Sequence, residues 1–345
     1  AQKRPVYRFS KKKDKLFTDP HAFFRDARHP AIRALRHGFR YKGLISFKSP
    51  EASLTGLRRV RRPIQEHLHW GVVQNSYTLS TSRKLVNNPS LVAMLGAKPN
   101  VWSRIFPKTA HTYLGWGRKS SGRHATSAAK RFGANCLLLE DGFLRSVGRR
   151  DMALSMVFDH SGIYYDATGP SDLETLIPQT LTGAQINRAR DLIIKWRKAR
   201  VSKYNDWNEY TRVLSSDYVL VCDQTRGDDS IRYGKADHDS FASMLTAALA
   251  EYPDSTIVVK THPDVLARAK RSYFDKSALE TNHRILAITE ACHPVSLIEH
   301  ARAVYTVTSQ IGFEALIWGK QVRTFGMPFY AGWGLTDDNL PESRR

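Results

Sequence analysis

Three cysteines in 345 residues, Cys136, Cys222 and Cys292, are too few for a disulfide-stapled fold. Each lies in or beside an apolar run, so buried free thiols in a reducing compartment are expected. No stretch approaches the roughly 18 apolar residues of a membrane-spanning helix. The basic N-terminal region also lacks the continuous apolar core of a signal peptide. Acidic residues are scarce, 32 against 53 Lys and Arg, leaving a net charge of +21. No G-x-G-x-x-G follows a first strand, and no Walker G-x-x-x-x-G-K-[ST] is present, which removes the two commonest phosphate-binding loops. No Cys/His/Asp spacing fits zinc. No D-x-D pattern stands where a nucleotide–metal site needs it, since Asp228-Asp229 and Asp337-Asp338 are adjacent pairs. The expectation is a protein with no cofactor and no metal.

The composition is otherwise that of a globular protein, 41% hydrophobic and 25% charged. The charge surplus is local. Residues 1–100 hold 21 basic and 5 acidic side chains, and the other 245 hold 32 and 27. Aromatic and aliphatic residues alternate with arginine in LFTDPHAFFRDARHPAIRALRHGFRYKG. That pattern suits an arm on an anionic membrane surface, a partner-docking or simply solvated arm, or nucleic-acid binding. The last is disfavoured because no zinc-finger, RRM or helix-turn-helix pattern accompanies it. His67 and His69 lack a further ligand at useful spacing and read as a surface strand.

Residues 73–108 read as a connector around one short helix, PSLVAMLG. Beyond them apolar runs alternate with helical patterns. The strands expected are 111–116, 135–140, 153–159, 162–166, 218–223, 256–261, 284–288, 303–308 and 322–325. A long helix is expected at 182–200, N-capped by Thr182, with Ile186, Ala189, Ile193 and Trp196 at helical spacing. Strands rich in Val, Ile and Leu alternating with helices imply parallel βαβ units. The expected division is a basic extension and connector at 1–108, a Rossmann-like acceptor-side domain with linking helix at 109–213, and a second Rossmann-like domain at 214–345. Two such domains facing across a cleft form a GT-B-like α/β fold; a single elaborated doubly wound domain is the alternative.

In open α/β sheets ligands bind beyond the carboxyl ends of the strands. Four such ends are polar here: Glu140-Asp141-Gly142-Phe143-Leu144-Arg145, Asp223-Gln224-Thr225-Arg226-Gly227-Asp228, Lys260-Thr261-His262-Pro263 and Thr308-Ser309-Gln310-Ile311-Gly312-Phe313-Glu314. Together they point to a polar cleft. Ser309, Gln310 and Gly312 fall at the turn into a helix, where free N–H groups and the positive helix end suit a phosphate. Glu314, one turn on, suits ribose hydroxyls. A plain capping box explains the same residues. Lys260 and His262 add donors from a second strand end, and Pro263 sets the chain direction after them.

At these residues the chain resembles a known family. EDGFLRS (140–146), GIYYDAT with PSDLE, SKYN (202–205), DQTRGDDSI (223–231), VKTHPDV (259–265) and TSQIGFEAL with FGMPFYAGWGLT are similar to the retaining β-Kdo transferases of the KpsC/LipB type in capsule biosynthesis. The resemblance spans about 110–338. It implies a GT-B fold, a CMP-Kdo donor (Kdo is an eight-carbon acidic ketose), a glycolipid or Kdo-terminated oligosaccharide acceptor, and no metal. It also implies a cytoplasmic protein at the inner membrane face, contacting anionic lipid or capsule-assembly proteins through the basic arm. The family's nucleophilic aspartate falls on Asp228, its His-Pro motif on Lys260, His262 and Pro263, and its CMP contacts on Ser309, Gln310 and Glu314. Gln224, Thr308 and Gly312 belong to the same motifs and join the expected substrate-binding set. Glu140 and Asp141 are the candidates for the base, with no choice between them. Arg145, Arg226 and Lys260 are the candidates for the donor's carboxylate and phosphate. Well-known family members carry two transferase modules in tandem; this chain carries one, and its end soon after GLTDD implies a truncated C-terminus. A GT-B transferase for another nucleotide sugar, and a non-catalytic scaffold, remain the alternatives.

Overall fold

The computed structural model describes residues 78–95, 98–102, 110–149, 151–214, 217–262, 265 and 271–341. The basic arm, His67, His69 and Pro263 lie outside the described residues. The first sheet has five strands in the order β2-β1-β3-β4-β5: β1 Thr78–Ser80, β2 Asn100–Val101, β3 Thr112–Trp116, β4 Asn135–Asp141 and β5 Met156–Asp159. Leu137, Leu138 and Leu139 of β4 are all buried, as a strand covered on both faces requires. Helices α1 (Arg83–Val86) and α2 (Pro89–Leu95) join β1 to β2, and α3 (Ser120–Phe132) joins β3 to β4. The sheet thus begins within the stretch read as a connector, ahead of the bound expected at 109: Leu79 of β1 pairs with Tyr113 of β3. A three-residue strand carries too little periodicity to be seen.

Two further expectations are corrected here. Residues 162–166, read as a strand, form a turn. The buried Asp159 carboxylate accepts N–H bonds from Ser161 (3.1 Å), Gly162 (2.8 Å) and Asp172 (3.2 Å), which folds the chain back before it can pair. Beyond α4 (Asp172–Leu176), the long helix α5 (Gly183–Ala199) forms with its Thr182–Gln185 capping box, yet Trp196 is its one buried residue. Ile186 and Ile193, expected on a core face, are exposed. In the last turn of α5, Trp196 packs with Leu144, Val201 and Ile317.

The second sheet has six strands, all parallel, in the order β11-β10-β9-β6-β7-β8. They are β6 Tyr218–Cys222, β7 Thr256–Lys260, β8 Ile285–Ile288, β9 Ala303–Thr306, β10 Gln321–Thr324 and β11 Asp337–Asp338. Between them run α6 (Asp229–Tyr233), α7 (His238–Glu251), α8 (Lys276–Glu280), α9 (Val295–Ile298) and α10 (Gln310–Ile317). The first sheet is mixed, because β5 runs antiparallel to β4. Two sheets of parallel βαβ units agree with the expected GT-B-like arrangement.

The glycine-rich GWGRKSSG is a packing device. A Cβ on Gly115 would stand 2.4 Å from Gly122 Cα, and one on Gly122 would stand 1.8 Å from the Gly117 carbonyl oxygen. Helix α3 therefore meets β3 backbone to backbone. Gly122→Ala is expected to lower stability by about 1–3 kcal/mol through overpacking; an unchanged urea midpoint would count against this contact.

Candidate active site

A cleft of about 340 Å³ opens where the ends of the two sheets meet. An aromatic seam closes its floor. Phe143, just past β4, packs in tilted contact against Phe313 of α10 at 5.4 Å and Phe329 at 5.0 Å. A polar chain crosses the same seam. Gln310 Nε2 donates to the Phe143 carbonyl (2.7 Å) and to Glu314 Oε1 (3.1 Å), which also accepts from the Lys203 backbone N–H (3.2 Å). Gln310 Oε1 and Glu314 Oε2 remain buried without a hydrogen-bond partner among the described residues. Burial raises the Glu314 carboxyl to about 7.

Nine of the expected residues line the cleft: Glu140, Gln224, Asp228, Lys260, His262, Thr308, Ser309, Gln310 and Glu314. Asp228 caps α6, its Oδ1 accepting the Ser230 N–H at 2.9 Å, and it is only partly buried. Ser309 caps α10 through the Ile311 N–H (3.3 Å). Gln224 is a strut: its Oε1 accepts from Thr308 N (2.8 Å) and its Nε2 donates to Thr308 Oγ1 (3.0 Å), tying the ends of β6 and β9. Lys260 donates to the Thr261 and Glu290 carbonyls at 3.0 and 3.1 Å, and burial lowers its pKa.

Glu140 and Asp141 are separated by the strand itself. Glu140 lines the cleft and accepts from Trp116 Nε1 at 3.0 Å. Burial raises it to about 7, with Lys203 opposing and Asp141 adding to the rise. Asp141 lies outside the cleft lining, paired with Arg145 Nε at 2.9 Å.

Four of the expected residues stand outside the cleft lining. Asp141 and Arg145 neutralise each other, and Arg145 also donates to Ser146 Oγ (2.9 Å) and the Asp151 carbonyl (3.0 Å). Arg226 is exposed, 5.6 Å from the Tyr273 ring and 3.3 Å from His238 Nε2. Gly312 makes room for packing: a Cβ there would stand 2.2 Å from the Tyr330 hydroxyl, which bonds the Ser309 carbonyl. The cations that do line the cleft include Lys119, Arg149 and Lys203, none named from the strand ends. Lys203 had a signal in SKYN, but that motif follows a helix and no strand-end rule reaches it. The paired tyrosines Tyr164 and Tyr165, buried by the 162–166 turn, also line the site. Among the described residues no three His, Cys, Asp or Glu side chains gather as metal ligands, and no helix is long and apolar enough to cross a membrane.

The family model for capsule polysaccharide biosynthesis proteins matches residues 112–206 and 185–345. The chain belongs to this family. The resemblance read from its motifs is borne out at that level. Among solved structures, Thermosulfurimonas dismutans KpsC, titled a beta Kdo 2,4 transferase, is 38% identical. The match covers 81% of this chain and 88% of that one, with a TM-score of 0.71. The beta Kdo 2,7 transferase of the same organism's KpsC is 29% identical over 78% of this chain and 84% of that one, with a TM-score of 0.56. The capsule polysaccharide modification protein LipA of Neisseria meningitidis serogroup B is 40% identical over 292 residues, 79% of this chain and 40% of that protein. The chain spans about two-fifths of the length of the LipA relatives it matches.

In this capsule-family cleft Glu314 has a readable signature. Its folded pKa lies above the ordinary carboxylate value of 4.5, so its contribution is complete below about 4.5 and is lost as pH rises through about 7. Glu140 and Asp159, raised by burial to about 7 and about 6, act in the same sense. Without ligand, the melting temperature is expected to carry a downward component between pH 5 and 8 that Glu314→Gln reduces. A variant with the wild-type pH slope would contradict it.

Proposed function

We propose that the protein is a glycosyltransferase that moves Kdo from CMP-Kdo to a glycolipid or Kdo-terminated oligosaccharide in capsule biosynthesis, with retention and without a metal. The observation that carries this reading is the meeting of Asp228, Glu140 and the α10 N-terminus in one cleft, on a fold shared over most of its length with a solved Kdo transferase. A glycolipid acceptor places the reaction at the inner membrane face; the basic arm proposed to contact it lies outside the described residues.

The proposed route to retention is two displacements, each with inversion. In the first, an Asp228 carboxylate oxygen attacks the anomeric carbon of Kdo. The bond from that carbon to the phosphate oxygen breaks, and CMP leaves with the electron pair. The N–H groups that open α10, with Lys260 and His262, face the departing phosphate. CMP is a good leaving group, so no strong acid is needed. In the second displacement the acceptor hydroxyl attacks the same carbon, its proton passes to Glu140, and the bond to Asp228 breaks. Glu140 fits the base role better than Asp141: it faces the cleft, has no ion pair among the described residues, and titrates at about 7.

Asp228 also caps α6, so the variants must separate capping from chemistry. Asparagine caps as well as aspartate, whereas alanine costs about 1 kcal/mol. Asp228→Asn is expected to melt close to wild type yet lose transfer by at least about 10³-fold, consistent with loss of a nucleophile. Mass spectrometry of the wild type after donor alone should show a Kdo adduct on the peptide holding Asp228. Undiminished transfer by Asp228→Asn, or an adduct elsewhere, would refute the assignment. Glu140→Gln is expected to retain the adduct in the presence of acceptor, with turnover slowed about 10²–10⁴-fold. Wild-type turnover should rise with pH through about 7, as the base loses its proton. Normal clearance of the adduct by Glu140→Gln would assign the base elsewhere.

A further inference from the structure

Resting on the reading above, we infer that Lys203 forms a carboxylate-binding subsite that distinguishes an acidic ketose donor from the bare nucleotide. Lys203 lines the cleft from the first-sheet side, on the loop that follows α5. Its backbone is fixed by the N–H bond to Glu314 Oε1 at 3.2 Å. Its ammonium stands 6.0 Å from the centroid of the Tyr204 ring, and no hydrogen bond or ion pair among the described residues holds it. The neighbouring cation differs: Lys260 already spends two donors on carbonyls.

The chemistry of an ulosonic sugar says where its acid must lie. The carboxylate is attached directly to the anomeric carbon, so when that carbon faces Asp228 the carboxylate is held within a few ångströms of the same side chain. Two like charges that close repel strongly in a partly desolvated cleft. A cation must offset them, and it must stand on the Asp228 side of the cleft, away from the phosphate end at Lys260 and the start of α10. Lys203 lines the same cleft as Asp228, and its charge acts on that carboxylate. It is in electrostatic contact with Asp228, Glu140 and Asp141; burial works against its charge, but these neighbours and Tyr204 outweigh it and raise the pKa. The ammonium is therefore charged at neutral pH and carries unspent donors.

The cation has a second effect. It favours the ionised form of Glu140, opposing the burial that raises that carboxyl. The same residue thus admits an acidic sugar and keeps the adjacent base able to accept a proton.

The test is calorimetric titration of the full chain with CMP and, separately, with CMP-Kdo, every protein compared, including the one that is wild type at residue 203, carrying Asp228→Asn so that binding is read without adduct formation. Wild type is expected to bind CMP-Kdo more tightly than CMP. In Lys203→Met the CMP affinity should stay within about twofold, which also shows that the cleft is folded. The CMP-Kdo affinity should fall about 10- to 100-fold, the range of a lost charge-assisted hydrogen bond. Lys203→Arg should restore most of it. Equal losses for CMP and CMP-Kdo would place Lys203 on the nucleotide and overturn the proposal. Selective loss of CMP-Kdo affinity in Lys119→Met or Arg149→Met, with Lys203→Met unaffected, would also overturn it. A wild type that binds CMP but gains nothing from the sugar would overturn the subsite alone. A wild type that binds UDP and neither cytidine ligand would overturn the donor reading itself.

Discussion

The cleft depends on a short polar chain buried where the two sheets meet. It runs from the Phe143 carbonyl through the Gln310 amide and the Glu314 carboxylate to the Lys203 backbone N–H. The first and last of these bonds join a loop of the first half to α10 of the second, the middle one lies within α10, and the chain runs beside the packed rings of Phe143, Phe313 and Phe329. In such surroundings an unmet polar group is expensive, so the chain resists being pulled apart. It is also incomplete. Gln310 Oε1 and Glu314 Oε2 are buried beside the cleft without a hydrogen-bond partner among the described residues. The same contacts tie the two halves together at the cleft.

Much of this was legible from strand ends. Apolar runs such as YVLVC and TIVVK are continuous because parallel strands are covered on both faces, and the polarity switches where each strand ends. That switch located Glu140, Asp228, Lys260, His262 and the Thr308–Glu314 turn without any knowledge of the pairing order. What stayed hidden was everything decided across the chain. Strand β1 is three residues long and visible only through its partner β3. The 162–166 segment alternates like a strand, but the buried carboxylate of Asp159 gathers three amides and turns it. Helix α5 carries an apolar pattern that its position leaves mostly in solvent.

The cations show the same limit more sharply. Arg145 and Arg226 stood beside the right motifs and were expected to meet the donor. Arginine's five donors make it a good binder of anions, and equally a good brace for loops. Arg145 spends Nε on one carboxylate and Nη1 on one hydroxyl and nearby carbonyls, so it orders the loop after β4. Arg226 is itself exposed and lies over the partly buried Tyr273 ring. A sequence shows that a guanidinium is present, but its free donors can be counted only once the fold shows what surrounds it. Lys203 is the converse case, distant from any strand end in the chain and brought to the cleft by the return from α5.

The neighbouring acids Glu140 and Asp141 show how strand geometry divides labour between two like residues. Successive side chains on a strand point to opposite faces, so the pair cannot share one environment. Asp141 turns to Arg145 and is neutralised there. Glu140 turns inward, accepts the Trp116 indole N–H and is left to be tuned by burial against Lys203. Asp141 still adds to the rise of the Glu140 carboxyl, less than burial does. Asp141 is paired with an arginine outside the cleft lining, while Glu140 has no ion pair among the described residues and is raised to about 7, a range suited to the base role proposed for it. Arg145 therefore shapes the electrostatics of the cleft through the aspartate it pairs with.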